Sequence, residues 1–405
     1  MVLRLKGRKP FFPIDPSVNI VDLSAPYLSL PGHPSSANAT SDSPRTTVSS
    51  AVGIASSPAT GSARTESSAS PVSSAAGIAS VPATGASERL KGSVRKRLSR
   101  VVEMLDPDVC VSLCGPEVRI LPAVAGGRPC VAEYHFSHDK FYRKYGGIFM
   151  YPYAWLRTHM LERAVSEYDC MVTLTEHDLP IWKRHCRRVE RIFNPVTTPP
   201  GQVSRLAEKR MIAVGRLEDQ KNFKDLVSAW SIVAERCPDW RLEIFGEGKL
   251  EHALRSQIAR LGLTGSVILR GVVKDIASEY SNSSALLMTS LHEGFPLALV
   301  EASSFGLPLI SYDCPTGPSE IIVDAGDGGD AGNVPAATLD QAAGNTPNGY
   351  LVPVGDVRTL ADRICRIASD DNLRLRLGAA SKASSHRFTP ETIISAWEHL
   401  FFSLL

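Results

Sequence analysis

The chain has 405 residues, of which 43% are hydrophobic and 21% charged. That is the composition of an ordinary globular protein of two or three domains, and it excludes collagen-like and disulfide-stapled classes. Lys plus Arg number 44 against 42 Asp plus Glu, a formal net charge of +2, which argues against a dedicated nucleic-acid binder with its strongly basic domain.

No uninterrupted apolar run approaches the roughly 18 residues that span a bilayer. The opening MVLRLKGRKP is basic, but no apolar stretch follows it, so no signal peptide is expected. The eight cysteines are Cys110, Cys114, Cys130, Cys170, Cys186, Cys237, Cys314 and Cys365. None forms C-x-x-C and several sit in apolar runs, so buried free thiols in a reducing cytoplasm are expected. The clustered ligand pairs of a zinc site are absent, and no metal is expected.

Residues 1–30 hold one strand-like piece, 18–23. From 31 to 88 Ser, Ala, Thr, Pro and Gly dominate, and SSAVGIASSPATG at 49–61 returns as SSAAGIASVPATG at 73–85. Two such copies cannot bury a core, so this reads as a disordered insert. Order resumes at Arg89. Leu90, Val94, Leu98, Val101, Val102 and Leu105 fall on one helical face, with Arg89, Lys91, Arg95, Lys96, Arg97 and Arg100 on the others. Strands are expected at 109–114, 129–134 and 170–174, and helices at 152–167 and 176–187. TTPPGQ at 197–202 looks like a linker.

The second half is more regular. Short apolar strands at 211–215, 241–245, 266–270, 285–289 and 308–312 alternate with helix-period segments at 223–236, 249–261, 275–281, 296–305 and 318–323. Alternation of this kind predicts right-handed βαβ units and a parallel sheet. A Gly/Ala/Asn-rich loop at 325–347 interrupts it, and helices at 357–368, 371–383 and 390–402 close the chain.

Open parallel sheets bind ligands at the carboxyl ends of their strands, and the unusual residues gather there. Arg216 and Lys221 follow the first of these strands, and a guanidinium with an ammonium can hold a pyrophosphate. Gly246-Glu247-Gly248 follows the second but lacks the third glycine of a dinucleotide fingerprint, so NAD binding is not expected. In Glu293-Gly-Phe-Pro-Leu-Ala-Leu-Val-Glu301, Gly294 allows close backbone approach, and Pro296 suits the first helical position. Unpaired N–H groups at that helix start would face an anion, and the two carboxylates can hold sugar hydroxyls. The same spacing also fits a buried helix with two capping or solvated acids.

These residues resemble a known family. VGRLEDQKNF at 214–223, IFGEGKL at 244–250, EGFPLALVEA at 293–302, GLPLISYDCPTGPSEII at 306–322 and NGYLVPVGD at 348–356 are similar to retaining glycosyltransferases of family 4. EYHFSHDKFYRKYG at 133–146 and RIFNPV at 191–196 extend the resemblance over about 89–405. It implies an α/β GT-B fold, with two Rossmann-like domains facing a cleft. The expected divisions are an N-terminal remnant at 1–30, the insert at 31–88 and an acceptor-side domain at 89–197. A nucleotide-sugar-binding domain at 198–385 follows, and a C-terminal helix at 386–405 packs back towards the N-terminal domain.

The resemblance also implies roles. Arg216 and Lys221 would hold the donor diphosphate, Glu293 would contact the transferred sugar, and Glu301 the ribose hydroxyls. Gly246 would join the donor-binding residues, and backbone groups of Gly294, Phe295, Pro296 and Leu297 would cradle sugar and phosphate. His135 matches a histidine that faces the donor sugar. The implied reaction moves a sugar, with retention, from a nucleotide-sugar donor such as a UDP-sugar to a growing cell-surface glycan or lipid-linked acceptor. It would pass through an oxocarbenium-like transition state without a cofactor. Asp106-Pro107-Asp108 matches the D-x-D of metal-dependent transferases of another fold, but it lies where a helix hands over to a strand and reads as a loop. The cationic helix, with Lys183, Arg184, Arg187, Arg188 and Arg191, suggests a cytoplasmic protein on an anionic membrane surface.

The family normally opens with a strand, a Gly-rich loop and a helix. Nothing before Val18 reads as such a unit, so an incomplete N-terminal domain lacking its central strand is expected. A truncated, non-catalytic nucleotide-sugar binder and a sugar-nucleotide epimerase are the competing readings.

Overall fold

The structure, a computed structural model, describes residues 2–4, 20–22, 84–145, 147, 149–198, 201–326 and 346–405. The chain forms two compact units, Met1–Cys130 and Val131–Leu405. The repeat insert up to residue 83 and positions 327–345 of the later loop lie outside the described residues.

In the first unit, β1 (Val2–Arg4) runs parallel to β2 (Ile20–Asp22), pairing Val2 with Ile20 and Arg4 with Asp22. The helix α1 (Thr84–Leu105) follows, then β3 (Cys110–Ser112) and the short α2 (Leu121–Val124). β1 also pairs with β3 through Val2 and Val111. The interior strand expected to be missing is therefore occupied: Val2–Arg4 has a neighbour on each side. Three residues are too short to show a period, which is why VLR reads only as part of a basic opening. The Gly-rich loop and helix of that expectation would fall on 5–19, outside the described residues. α1 starts at Thr84, so 84–88 belong to it and not to the insert. Leu98, Val101 and Val102 are buried while Arg95, Lys96, Arg97 and Arg100 are exposed, as the 3.6-residue spacing predicts.

The second unit opens within β4 (Cys130–Tyr134), all but the first residue of which belongs to it, and continues with α3 (Lys140–Lys144), α4 (Tyr151–Val165), β5 (Cys170–Thr173), α5 (Leu179–Trp182) and β6 (Val189–Arg191). β4, β5 and β6 pair in parallel. The helix expected over 176–187 shrinks to the single turn α5. Trp182 is fully buried, and the chain then turns at 183–185 before β6.

The remaining elements alternate: β7 (Arg210–Val214), α6 (Phe223–Arg236), β8 (Arg241–Phe245), α7 (Glu251–Arg260), β9 (Val267–Gly271), α8 (Ile276–Ser281), β10 (Leu286–Met288), α9 (Leu297–Ser304), β11 (Leu309–Tyr312), α10 (Pro318–Ile321) and β12 (Gly349–Val352). α11 (Val357–Ser369), α12 (Asp371–Ser384) and α13 (Pro390–Phe402) follow. The strands form one parallel sheet in the order β12-β11-β10-β7-β8-β9.

Strand period decides which side each residue covers. Met211, Ala213, Leu242, Ile244, Ile310 and Tyr312 pack under α6, α7 and α11, with Trp230 and Leu226 at the centre. Ile212, Phe245, Leu286, Met288 and Leu309 face the other way and are covered by Leu299, Val300 and Phe305 with Tyr280 and Phe388. Both faces are buried, which is why these strands read as continuous apolar runs rather than alternating ones.

Candidate donor-binding site

The strand order has one reversal. From β7 the chain winds through β8 to β9 on one side, then returns to place β10 on the other side of β7. At such a switch point the loops leaving the two central strands diverge and open a crevice at their carboxyl ends. Those loops are 215–222, after β7, and 289–296, after β10. They carry Arg216 and Lys221 on one side, and Glu293 to Pro296 on the other.

The loops are tied together by hydrogen bonds to backbone carbonyls. The Leu291 N–H donates to the Gln220 carbonyl at 2.9 Å, and Gln220 Nε2 donates to the His292 carbonyl at 2.8 Å. Thr289 Oγ1 donates to the carbonyls of Lys221 and Asn222 at 3.0 and 3.1 Å. Asn222 takes a left-handed conformation, φ 46°, where the loop turns into α6. This framework brings Lys221 Nζ within 2.6 Å of Glu293 Oε1. Both groups are largely out of solvent, and Glu293 is only 8% exposed. Arg216 instead lies exposed, its guanidinium 2.8 Å from Glu218 Oε2, so it is free to turn to a ligand.

Gly246 has a packing reason. Its φ is 135°, and a Cβ there would sit 2.0 Å from the Gly215 carbonyl oxygen. The 246–248 loop closes on the 215–217 loop through Leu217 N–H to Glu247 O and Leu250 N–H to Leu217 O. Gly246 thus shapes the floor beneath Arg216.

Gly294 marks a second close approach. A Cβ on it would lie 2.5 Å from the His135 carbonyl oxygen, and one on Gly317 would meet Pro296 Cδ at 2.5 Å. The 135–136, 293–296 and 314–317 segments therefore touch through backbone, and Thr316 Oγ1 donates to the Glu293 carbonyl. Pro296 is the residue before α9, with extended φ and ψ, rather than the first helical residue as expected; Leu297 opens the helix. A proline cannot donate, and among the described residues the N–H groups of Leu297 and Ala298 find no acceptor, which leaves two donors at the helix start.

The other expected site residues have protein partners. Phe295 is buried, stacked on Phe193 at 5.3 Å and edge-on to Phe388, so its ring is core and only its backbone is available. His135 presents its carbonyl to Gly294, while its Nε2 lies 3.1 Å from Glu133 Oε1. Burial disfavours its imidazolium, but the charge and hydrogen bond of Glu133 outweigh this and raise its pKa above the usual histidine value. Glu301 accepts from Tyr280 Oη at 3.0 Å and from Thr197 Oγ1 at 2.9 Å. Two of its lone-pair positions are used, and the others remain for a ligand.

Several residues escaped the sequence reading. Gln220 and Thr316 lie inside quoted motifs, but their types do not announce a role. Glu320 caps the Glu176 N–H at 2.6 Å and meets Arg191 at 3.2 Å, clamping the 176–191 region to α10. Asp106 and Asp108 lie in the turn between α1 and β3, as expected, with Asp106 paired to Arg128. None of the eight cysteines is in a disulfide; six are buried, and Cys114 and Cys237 are half-buried.

Comparison with known proteins bears on this arrangement. An uncharacterized glycosyltransferase of Haemophilus influenzae is 27% identical over 238 residues, 58% of this chain and 62% of its own. The amylovoran biosynthesis glycosyltransferase AmsD of Erwinia amylovora is 30% identical over 193 residues, 48% of either chain. The chain thus spans less than two thirds of the length of these relatives. Among solved structures, Anabaena Alr3699/HepE in complex with UDP superposes with a TM-score of 0.59 at 18% identity, covering 77% of this chain and 83% of that one. The fold is therefore α/β of the GT-B type, and residues 199–384, which carry Arg216, Lys221, Glu293 and Glu301, match the family described as Glycosyl transferases group 1.

Proposed function

We propose that the chain is a retaining glycosyltransferase that moves a hexosyl or N-acetylhexosaminyl group from a UDP-sugar to a growing cell-surface glycan or lipid-linked acceptor. The observation that carries this reading is the switch point itself. A cation pair, a buried carboxylate and the open start of α9 converge there, in the segment similar to group 1 transferases. Arg216, Lys221 and the Leu297 and Ala298 N–H groups stabilise charge growing on the departing diphosphate. Lys221 neutralises Glu293 before the donor arrives and is handed to the diphosphate on binding, which releases the Glu293 carboxylate to sugar hydroxyls. Glu301 holds the ribose while Tyr280 and Thr197 fix its orientation. Charge stabilisation of this kind leaves the transfer itself independent of a metal ion, and the donor phosphate takes the acceptor proton.

The test is incubation of the full chain with a panel of nucleotide sugars and lipid-linked acceptors, followed by mass spectrometry and NMR of the anomeric centre. Transfer with retention is expected from a UDP-sugar. Donor isomerisation, or nucleotide binding with no transfer to any acceptor, would replace this reading.

We also propose that the protein works on the inner face of the cytoplasmic membrane. Exposed Arg95, Lys96, Arg97 and Arg100 on α1, and Lys183, Arg184 and Arg187 after α5, support an anionic surface as partner. Around the start of α4, Phe149, Tyr151 and Trp155 are 94%, 59% and 53% exposed, and such rings suit the headgroup level. Among the described residues no helix is long and apolar enough to cross a membrane.

A further inference from the structure

Three residues with no role in the transfer chemistry meet in the second unit. His138 lies in the loop after β4, Glu162 on α4 and His185 in the turn after α5. His138 Nε2 is 2.9 Å and His185 Nε2 3.4 Å from the same oxygen, Glu162 Oε1. All three ligand atoms lie within 4.8 Å of one another. Among the described residues this is the one cluster of three or more His, Cys, Asp or Glu side chains with such spacing. The side chains are 15%, 15% and 30% exposed, so the point is sheltered but open on one side.

The surroundings hold the rings in place. The buried Trp182 meets His138 and His185 edge-on, at 5.0 and 6.4 Å. The two imidazoles lie nearly parallel, 15° apart. The buried Asp178 accepts the His138 backbone N–H at 3.3 Å and fixes the loop. His159, one turn before Glu162, approaches the other carboxylate oxygen at 3.5 Å.

We propose that His138, Glu162 and His185 form a binding site for a borderline divalent transition-metal ion such as Zn²⁺, with water in the fourth position. A tetrahedral ion with bonds of about 2.0–2.1 Å sets its ligand atoms about 3.3 Å apart, and the two measured separations from Oε1 bracket that value. Two imidazoles and one carboxylate suit zinc in charge and softness. The cysteines play no part, which is why their spacing did not foretell the site. The ion would clasp three chain segments, one of which continues from His135, whose carbonyl lies against Gly294. It is a staple for that loop and takes no part in transfer, so the proposal does not rest on the transferase reading.

The full chain, stripped with a chelator, is titrated with Co²⁺ and then Zn²⁺. One equivalent of Co²⁺ should give the intense visible bands of a tetrahedral site, and Zn²⁺ should abolish them. X-ray absorption of the zinc form should show nitrogen and oxygen at about 2.0–2.1 Å with imidazole outer scattering, and no sulfur at about 2.3 Å. His185→Gln and Glu162→Gln should each lower affinity by roughly ten-fold or more, while His159→Gln leaves it unchanged. Absence of the bands, a sulfur shell, or full binding by a folded His138→Gln/His185→Gln variant would overturn the proposal. Should a variant not fold, the stoichiometry and absorption spectrum of the unaltered chain still decide.

Discussion

Lys221 Nζ lies 2.6 Å from Glu293 Oε1, although 72 residues separate them in sequence. Two groups expected to touch different parts of one ligand are thus paired with each other. Removing one leaves the other nearly buried and unpaired. Lys221→Met should therefore cost about 1–3 kcal/mol of stability. A double-mutant cycle with Glu293→Gln, read by urea denaturation, should give a coupling of about 0.5–3 kcal/mol. Simple additivity would mean that the two groups do not interact.

Glu301→Ala separates binding from packing. Loss of a charged acceptor worth about 1.5–3 kcal/mol should weaken UDP affinity roughly ten-fold or more. It also strands the hydroxyl of the fully buried Tyr280. Adding Tyr280→Phe should recover stability but not affinity. Calorimetry with UDP and thermal unfolding of both variants check this, and unchanged affinity would remove the ribose assignment.

Gly246→Ala should destabilise the fold by about 1–3 kcal/mol through backbone strain, because its Cβ meets the Gly215 carbonyl. Gly265, which a Cβ would leave with nothing within 4 Å, is the control. Thermal melts of the two alanine variants should differ by several degrees, and equal melts would contradict the packing role.

The raised pKa of His135 predicts a pH dependence with a definite sign. A group that binds its proton more tightly when folded stabilises the fold at low pH. Its contribution should be complete below the unfolded value of about 6.5 and should be lost as pH rises through the higher folded value. His135→Gln should abolish that slope, measured as the difference in urea stability between pH 5.5 and 8.5. An unchanged difference would show that Glu133 does not hold the imidazolium.

Flotation with liposomes checks the membrane proposal. Binding should rise with anionic lipid content, at about 1 kcal/mol for each Lys or Arg near the surface, and should fall with salt. Trp155→Ala should weaken it further at fixed charge. Binding that ignores both lipid charge and salt would remove the proposal.

By itself the sequence determined the longer strands and helices from β7 onward and the loops that matter. α13 has the expected bounds, β8 matches 241–245, and α6 matches 223–236. These follow from period and capping within a few residues of chain. The same local rules missed β1, β6 and β12, which are three or four residues long and owe their existence to neighbours distant in sequence. Tertiary structure alone decided that β10 returns beside β7, since strand order depends on which buried faces must meet. It also decided that Lys221 neutralises Glu293, that Gly246 is a packing glycine, and that the Phe295 ring is core. The His138, Glu162 and His185 cluster was illegible for the same reason. Its members come from three segments with no shared spacing, and only the packing of α4 and α5 beside the loop after β4 brings their side chains to one point.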